Sequence, residues 1–145
     1  EDLYSLLNYG PAPHDPSAWF NNGKISDISC AFLIDRLEKF AMWLPMYLEQ
    51  AERVHSAAAS LGLTPITPPC PTVPAMSWAY LSPKNISLEQ LEKSERLTFA
   101  KYYKPIANLP QATALYSHLL NIPTHPDVAQ LSDSELIDEI SKVII

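Results

Sequence analysis

The residues Trp19-Phe20-Asn21-Asn22-Gly23-Lys24-Ile25-Ser26-Asp27 form a polar stretch that runs into a long apolar-periodic segment from Ile28 to Leu61. Asn22, Gly23 and Lys24 just ahead of a helix suit an anion. The first backbone N–H groups of a helix have no internal partner, and its dipole is positive at that end. The same residues also read as a solvated loop with Ser26 or Asp27 as helix cap. A second cluster, Lys101-Tyr102-Tyr103-Lys104-Pro105, sets lysines beside aromatic rings and can grip an anionic or sugar-bearing ligand. Its other reading is a strand edge with one Tyr in the core and the lysines snorkelling outward.

Other chemistries lack a complete set of residues. His14, His55, His118 and His125 have no partner histidine three or four residues on, and no His-Glu-x-x-His is present. His125, in Ile122-Pro123-Thr124-His125-Pro126, falls in a stiff loop where a structural role is expected. Serine is abundant, but no Gly-x-Ser-x-Gly elbow can be written. The acids Glu49/Glu52 and Glu135/Asp138/Glu139 fall on helical stretches and read as solvated faces. Cys30 and Cys70 are too few for a disulfide framework or a zinc site and read as free thiols of a reducing compartment.

Composition narrows the class. The chain has 145 residues, 47% of them hydrophobic, enough for one domain with a real core. A net charge of −6 argues against a non-specific nucleic-acid binder. No apolar run approaches the roughly 18 residues that span a bilayer, and no signal-peptide pattern is visible. With 3 glycines against 14 prolines, no Gly-rich phosphate loop can be written.

The elements that must position these residues follow from periodicity and punctuation. Residues 1–8 read as the end of a helix stopped at Tyr9-Gly10-Pro11, and 11–24 as a loop. Apolar residues at helical spacing from Ser26 onward predict two helices, about 26–42 and 45–61. They should be split at Pro45, which lacks an N–H and clashes with the turn before it. Gly62 closes the second. Leu63–Thr67, Met76–Leu81 and Leu97–Tyr103 are strand candidates. Ser87-Leu88-Glu89-Gln90 is a capping box opening a helix to about Ser94. Gln111–Leu120 is a helix after Pro110. Ser132-Asp133-Ser134-Glu135 is a second capping box, opening a helix that runs to the C-terminus. The fold class is α+β, a small sheet covered by helices.

The order of these pieces resembles the C-terminal part of the DegT/DnrJ/EryC1/StrS family of aminotransferases. Leu7-Asn8-Tyr9-Gly10 is similar to the segment that follows the family's catalytic domain. Asn22-Gly23-Lys24-Ile25-Ser26-Asp27 is similar to its Asn-x-(Arg/Lys)-Met-Ser-(Glu/Asp). Ala31 through Leu37 resembles its Ala-x-Gly-Leu-x-Gln-Leu helix, and Tyr102-Tyr103-Lys104-Pro105 its Tyr-x-Pro segment. Leu120-Asn121-Ile122-Pro123-Thr124-His125 resembles the turn before its last helix, and Leu131 to Ile145 that helix. Phe20 stands where the family usually has Gly, and Ala107 where it often has His.

The resemblance implies a small antiparallel sheet covered by helices, as in the small C-terminal domain of fold-type I pyridoxal-phosphate aminotransferases. It implies that 1–25 link to a large domain and that 26–145 are the small domain. The implied reaction, in the full enzyme, moves an amino group from an amino acid to a nucleotide-linked keto-sugar, with pyridoxal 5'-phosphate (PLP) as cofactor. The family's Schiff-base lysine lies upstream, so the isolated chain is expected to be inactive. Asn22 and Lys24 are the implied cofactor-binding residues, reaching the phosphate held by the neighbouring subunit. Lys101 and Tyr103 are the implied substrate-binding residues. The implied partners are the chain's own large domain and a second subunit in a homodimer, in the cytoplasm, with no nucleic acid and no membrane. The rival reading is a non-catalytic domain that docks a partner through its long helices.

Overall fold

A computed structural model of the chain describes residues 25–68, 70 and 72–145. The expected helix end at 1–8, the loop at 11–24, and Asn22 and Lys24 within it lie outside the described residues. The chain divides into two compact units with the boundary between Phe40 and Ala41.

In the first unit, α1 spans Asp27–Glu38. Ser26 caps it: its backbone is extended and its hydroxyl accepts from the Ser29 N–H. None of the residues of α1 is buried. Ile28 and Phe32 are 73% and 69% exposed, and Leu33, Ile34 and Leu37 are exposed with them.

Helix α2 spans Phe40–Ser60. The interruption between the long helices therefore falls at Lys39 and not at Pro45, which stands inside α2. Proline disturbs the turn that precedes it, yet α2 runs through Pro45 without a break. At its other end α2 closes as expected. Gly62 takes φ +75°, the Gly62 N–H donates to the Ala59 carbonyl, and the Leu63 N–H donates to that of Ala58. This pair of bonds is a Schellman motif, whose positive-φ position favours glycine.

The sheet is antiparallel, in the order β1 (Thr64–Pro65), β2 (Ser77–Leu81), β3 (Leu119–Pro123). Strand β1 is shorter than the run Leu63–Thr67 suggests, and β2 matches Met76–Leu81 within one residue. Strand β3 occupies a stretch expected to be helix end and turn. It pairs with β2 through Trp78 opposite Ile122, Ala79 opposite Asn121 and Tyr80 opposite Leu120. The candidate strand Leu97–Tyr103 reduces to one bridge, Ala100 with Asn121, on the outer edge of β3. Between the strands come α3 (Leu88–Leu91), whose Ser87/Gln90 capping box is formed, and α4 (Pro110–His118). A 3-10 turn (Pro126–Gln130) leads to α5 (Asp133–Ile144), opened by the Ser132/Glu135 capping box.

The core lies on one face of the sheet. Tyr80, Leu120 and Ile122 pack there with Val54, Ala57 and Ala58 of α2 and Leu136, Ile140 and Val143 of α5. Each such large side chain contributes about 1.5–3 kcal/mol by leaving water. Arg53 ties α2 to the start of α5: its Nε donates to Asp133 at 2.7 Å and its Nη2 to the Leu131 carbonyl at 2.5 Å. Among the described residues no helix is long and apolar enough to cross a membrane.

Candidate functional site

Side chains alternate across a strand. With Leu120 and Ile122 in the core, Leu119 and Asn121 must face the other side of the sheet. There Ala79 stands directly opposite Asn121, and Ile66 follows β1, its N–H donating to the Ala79 carbonyl at 3.0 Å. Alanine leaves room. The result is a groove of about 320 Å³ with Ala79 and Asn121 in its floor and Tyr102, Tyr103, Leu115 and Tyr116 along its sides.

Local geometry explains why these aromatics stand there. Ala100 and Asn121 exchange backbone hydrogen bonds, Ala100 N–H to Asn121 O at 3.2 Å and the reverse at 2.8 Å. The Tyr102 N–H then donates to Asn121 Oδ1 at 3.2 Å, which ties this segment to β3. Tyr103 follows with φ +61°, a left-handed conformation that is rare for a bulky residue. Its side chain is 96% exposed. The rings of Tyr102 and Tyr103 meet edge to face, with centroids 6.4 Å apart.

Lys101 takes a different part. Its Nζ donates to the carbonyls of Ile86 at 2.7 Å and Ser117 at 3.0 Å, and it sits 4.7 Å from the Tyr116 ring centroid. Burial lowers its pKa from the usual lysine value. Lys101 thus clamps α4 and the Tyr116 side of the groove from behind, while Tyr103 lines the groove itself. Neither tyrosine of the pair is a core residue, so the strand-edge reading of this segment is corrected.

The described residues superpose on known proteins at low sequence identity. No family model matches the sequence, and no curated protein matches it either. A DegT DnrJ EryC1 StrS aminotransferase from Brucella abortus matches 98% of this chain and 42% of its own, with a TM-score of 0.68 and 19% identity. The putative sugar aminotransferase Spr1654 from Streptococcus pneumoniae matches 90% of this chain in both apo and PMP forms. The TM-scores are 0.63 and 0.60, at 18% identity and 37% of the Spr1654 chain. The fold is that of the matched part of a DegT/DnrJ/EryC1/StrS aminotransferase. This chain spans about two fifths of the length of the solved structures it matches.

Within that aminotransferase fold, the described residues do not fit PLP by themselves. The cofactor needs a lysine free to bond it, an acid for its ring nitrogen and donors for its phosphate. Lys101, the lysine at the groove, is held by two carbonyls. The residues expected at the phosphate, Asn22 and Lys24, lie outside the described residues.

Tyr80, His55 and His118 are engaged in structure. Tyr80 Oη bonds His55 Nδ1, and His55 stands edge-on to Trp78 with centroids 5.1 Å apart. Burial lowers the His55 pKa and raises that of Tyr80, so the phenol keeps its proton and donates to a neutral imidazole. His118 Nδ1 donates to the Ser82 carbonyl at 2.9 Å. His125 Nδ1 has no hydrogen-bond partner; its nearest charge is Asp127 Oδ2 at 3.5 Å. No group of three or more metal-ligating side chains exists among the described residues. Cys30 and Cys70 are free thiols.

Asn121 is the groove residue that sequence reasoning missed. Its signal was present: one amide between two residues of a fully apolar pair, Leu120 and Ile122, marks the opposite face of a strand.

Proposed function

We propose that this chain is the C-terminal domain of a PLP-dependent aminotransferase that acts on a nucleotide-linked keto-sugar. It contributes substrate contacts and, across a homodimer, a cofactor contact, but not the Schiff-base lysine. The observation that carries this reading is the match of 98% of the chain to an aminotransferase at a TM-score of 0.68. The groove beside Tyr103 supports a role in substrate contact. When bound in the whole enzyme, PLP supplies the electron sink for amino transfer. This domain binds and orients. In the whole enzyme Asn22 would donate its side-chain amide to the phosphate, Lys24 would add charge nearby and Tyr103 would offer a ring, while Lys101 holds the groove in shape.

The test uses a longer protein that joins this chain to a lysine-bearing large domain. Losing one hydrogen bond to a charged group costs about 1.5–3 kcal/mol. Asn22→Ala should therefore weaken PLP retention about ten- to a hundredfold and leave the melting temperature unchanged. Unchanged PLP retention overturns the cofactor contact.

The exposed apolar residues of α1, Ile28, Phe32 and Leu37 among them, favour a second reading as a partner-docking domain. That reading predicts a folded complex whose assembly shows no dependence on PLP in any context.

A further inference from the structure

We propose that the small pocket lined by Arg96 and Asp127 is a binding site for a zwitterion of the size of a free α-amino acid. The pocket shares no lining residue with the groove beside Tyr103, and the inference does not depend on the aminotransferase reading.

Two segments make the walls. Arg96 and Thr98 come from the stretch before the Ala100 bridge, and His125, Asp127 and Gln130 from the 3-10 turn and its cap. Phe99 is buried in the core and anchors the first wall; Val128 is buried there too and anchors the second. The Val128 N–H donates to the His125 carbonyl at 3.1 Å, which fixes the turn that carries Asp127. Arg96 Nη2 donates to the Gln130 carbonyl at 3.3 Å and ties one wall to the other. The pocket is therefore held in shape without a ligand, which lowers the ordering cost of binding.

The charges on these walls are of both signs and are not spent on each other. Arg96 pairs at 2.6 Å with Glu135, which does not line this pocket. A guanidinium has five N–H donors, and the bonds to Glu135 and Gln130 do not exhaust them. The Asp127 side chain is 80% exposed. His125 Nδ1 stands 3.5 Å from its carboxylate, and that nitrogen has no hydrogen-bond partner. One pocket thus holds a fork that suits a carboxylate and an acid that suits an ammonium. A ligand with a single charge meets one attraction and one repulsion there, whereas a zwitterion meets two attractions. Thr98 and Gln130 add a hydroxyl and an amide, which serve either end. A volume of about 200 Å³ lies below the roughly 300–1,000 Å³ of sites for drug-sized ligands, so the occupant is one small molecule.

The experiment titrates the 15N-labelled chain with L-alanine, propionate and ethylamine at neutral pH and constant ionic strength, followed by two-dimensional NMR. Alanine carries both charges, propionate lacks the ammonium and ethylamine lacks the carboxylate. The expected result is that alanine shifts the Arg96 Nε–H and Asp127 backbone N–H signals together. Propionate and ethylamine should each bind about two- to fivefold more weakly, the worth of one exposed ion pair. Asp127→Asn removes the group that meets the ammonium and should abolish the preference for alanine over propionate. Unmoved Arg96 and Asp127 signals with alanine, or equal binding of the three probes, overturns the proposal on the unaltered chain, whether or not the variant folds. A preference for alanine that survives in Asp127→Asn overturns it too.

Discussion

Ser94 and Glu139, 45 residues apart, meet at 2.6 Å, the serine hydroxyl donating to a carboxylate on the buried side of α5. The same carboxylate accepts the Glu95 N–H at 3.2 Å and the Lys142 ammonium at 2.6 Å. It therefore holds the turn after α3 against the last helix. The acid run Glu135/Asp138/Glu139 is thus not simply a solvated face. Glu135 closes the capping box and pairs with Arg96, and Glu139 points inward.

These bonds set a pH dependence. The Lys142 bond first, then the Ser94 bond, hold the Glu139 carboxyl down to a pKa of about 2. A carboxylate with a depressed folded-state pKa stabilises fully above its unfolded value of about 4.3, and that stability is lost as pH falls toward the folded value. Denaturant unfolding should therefore show stability falling between about pH 4.3 and 2. Glu139→Gln should flatten that slope and cost about 1.5–3 kcal/mol at pH 7, because hydrogen bonds to a charged group are lost. An unchanged slope in the variant would show that other carboxylates govern the acid limb.

The Tyr80–His55 pair predicts a second window. Burial depresses the His55 pKa below its usual value near 6.5, so the unfolded chain binds its proton first. Stability is then present above about pH 6.5 and declines as pH falls through it toward the lowered value. Tyr80→Phe removes the donor to the imidazole and should cost about 1 kcal/mol. His titration followed by NMR should find the His55 midpoint below that of an unburied histidine, and a midpoint at or above 6.5 would contradict the neutral, hydrogen-bonded form.

Gly62 gives a cleaner backbone test. A Cβ there would meet nothing within 4 Å, so crowding plays no part, but φ is +75°. Gly62→Ala should destabilise by about 1 kcal/mol from the left-handed conformation alone. A thermal melt that does not move would mean that the helix end relaxes to another cap at no cost.

What was legible in the sequence is what local chemistry decides. Ser87 with Gln90, Ser132 with Glu135, Gly62 and the aromatic run of β2 all carry their own signals, and the structure uses each as those signals suggest. The failures fall where distant partners decide. Leu119–Pro123 contains Asn and ends in Pro, both poor strand formers, yet pairing with β2 and burial of Leu120 and Ile122 make it a strand. Leu97–Tyr103 has strand formers but only one bridge, because the chain turns away at Tyr103. In the candidate site, Tyr103 was visible by residue type. Lys101 was visible too, but its inward bonds to Ile86 and Ser117 depend on contacts 15 and 16 residues away.

Tyr103 supplies the sharpest prediction about cost and use. A left-handed backbone costs a non-glycine residue about 1–2 kcal/mol, and a side chain that is 96% exposed recovers little by burial. Glycine accepts φ +61° freely but gives the unfolded chain more freedom, which offsets about 0.5–1 kcal/mol of the gain. Tyr103→Gly should therefore leave stability unchanged or raise it by up to about 1 kcal/mol. Tyr103→Phe should keep the strain. Chemical denaturation of the two variants measures the effect. If Tyr103→Gly destabilises the chain by more than about 1 kcal/mol, the tyrosine is a structural residue of the turn and not a strained residue held for a ligand.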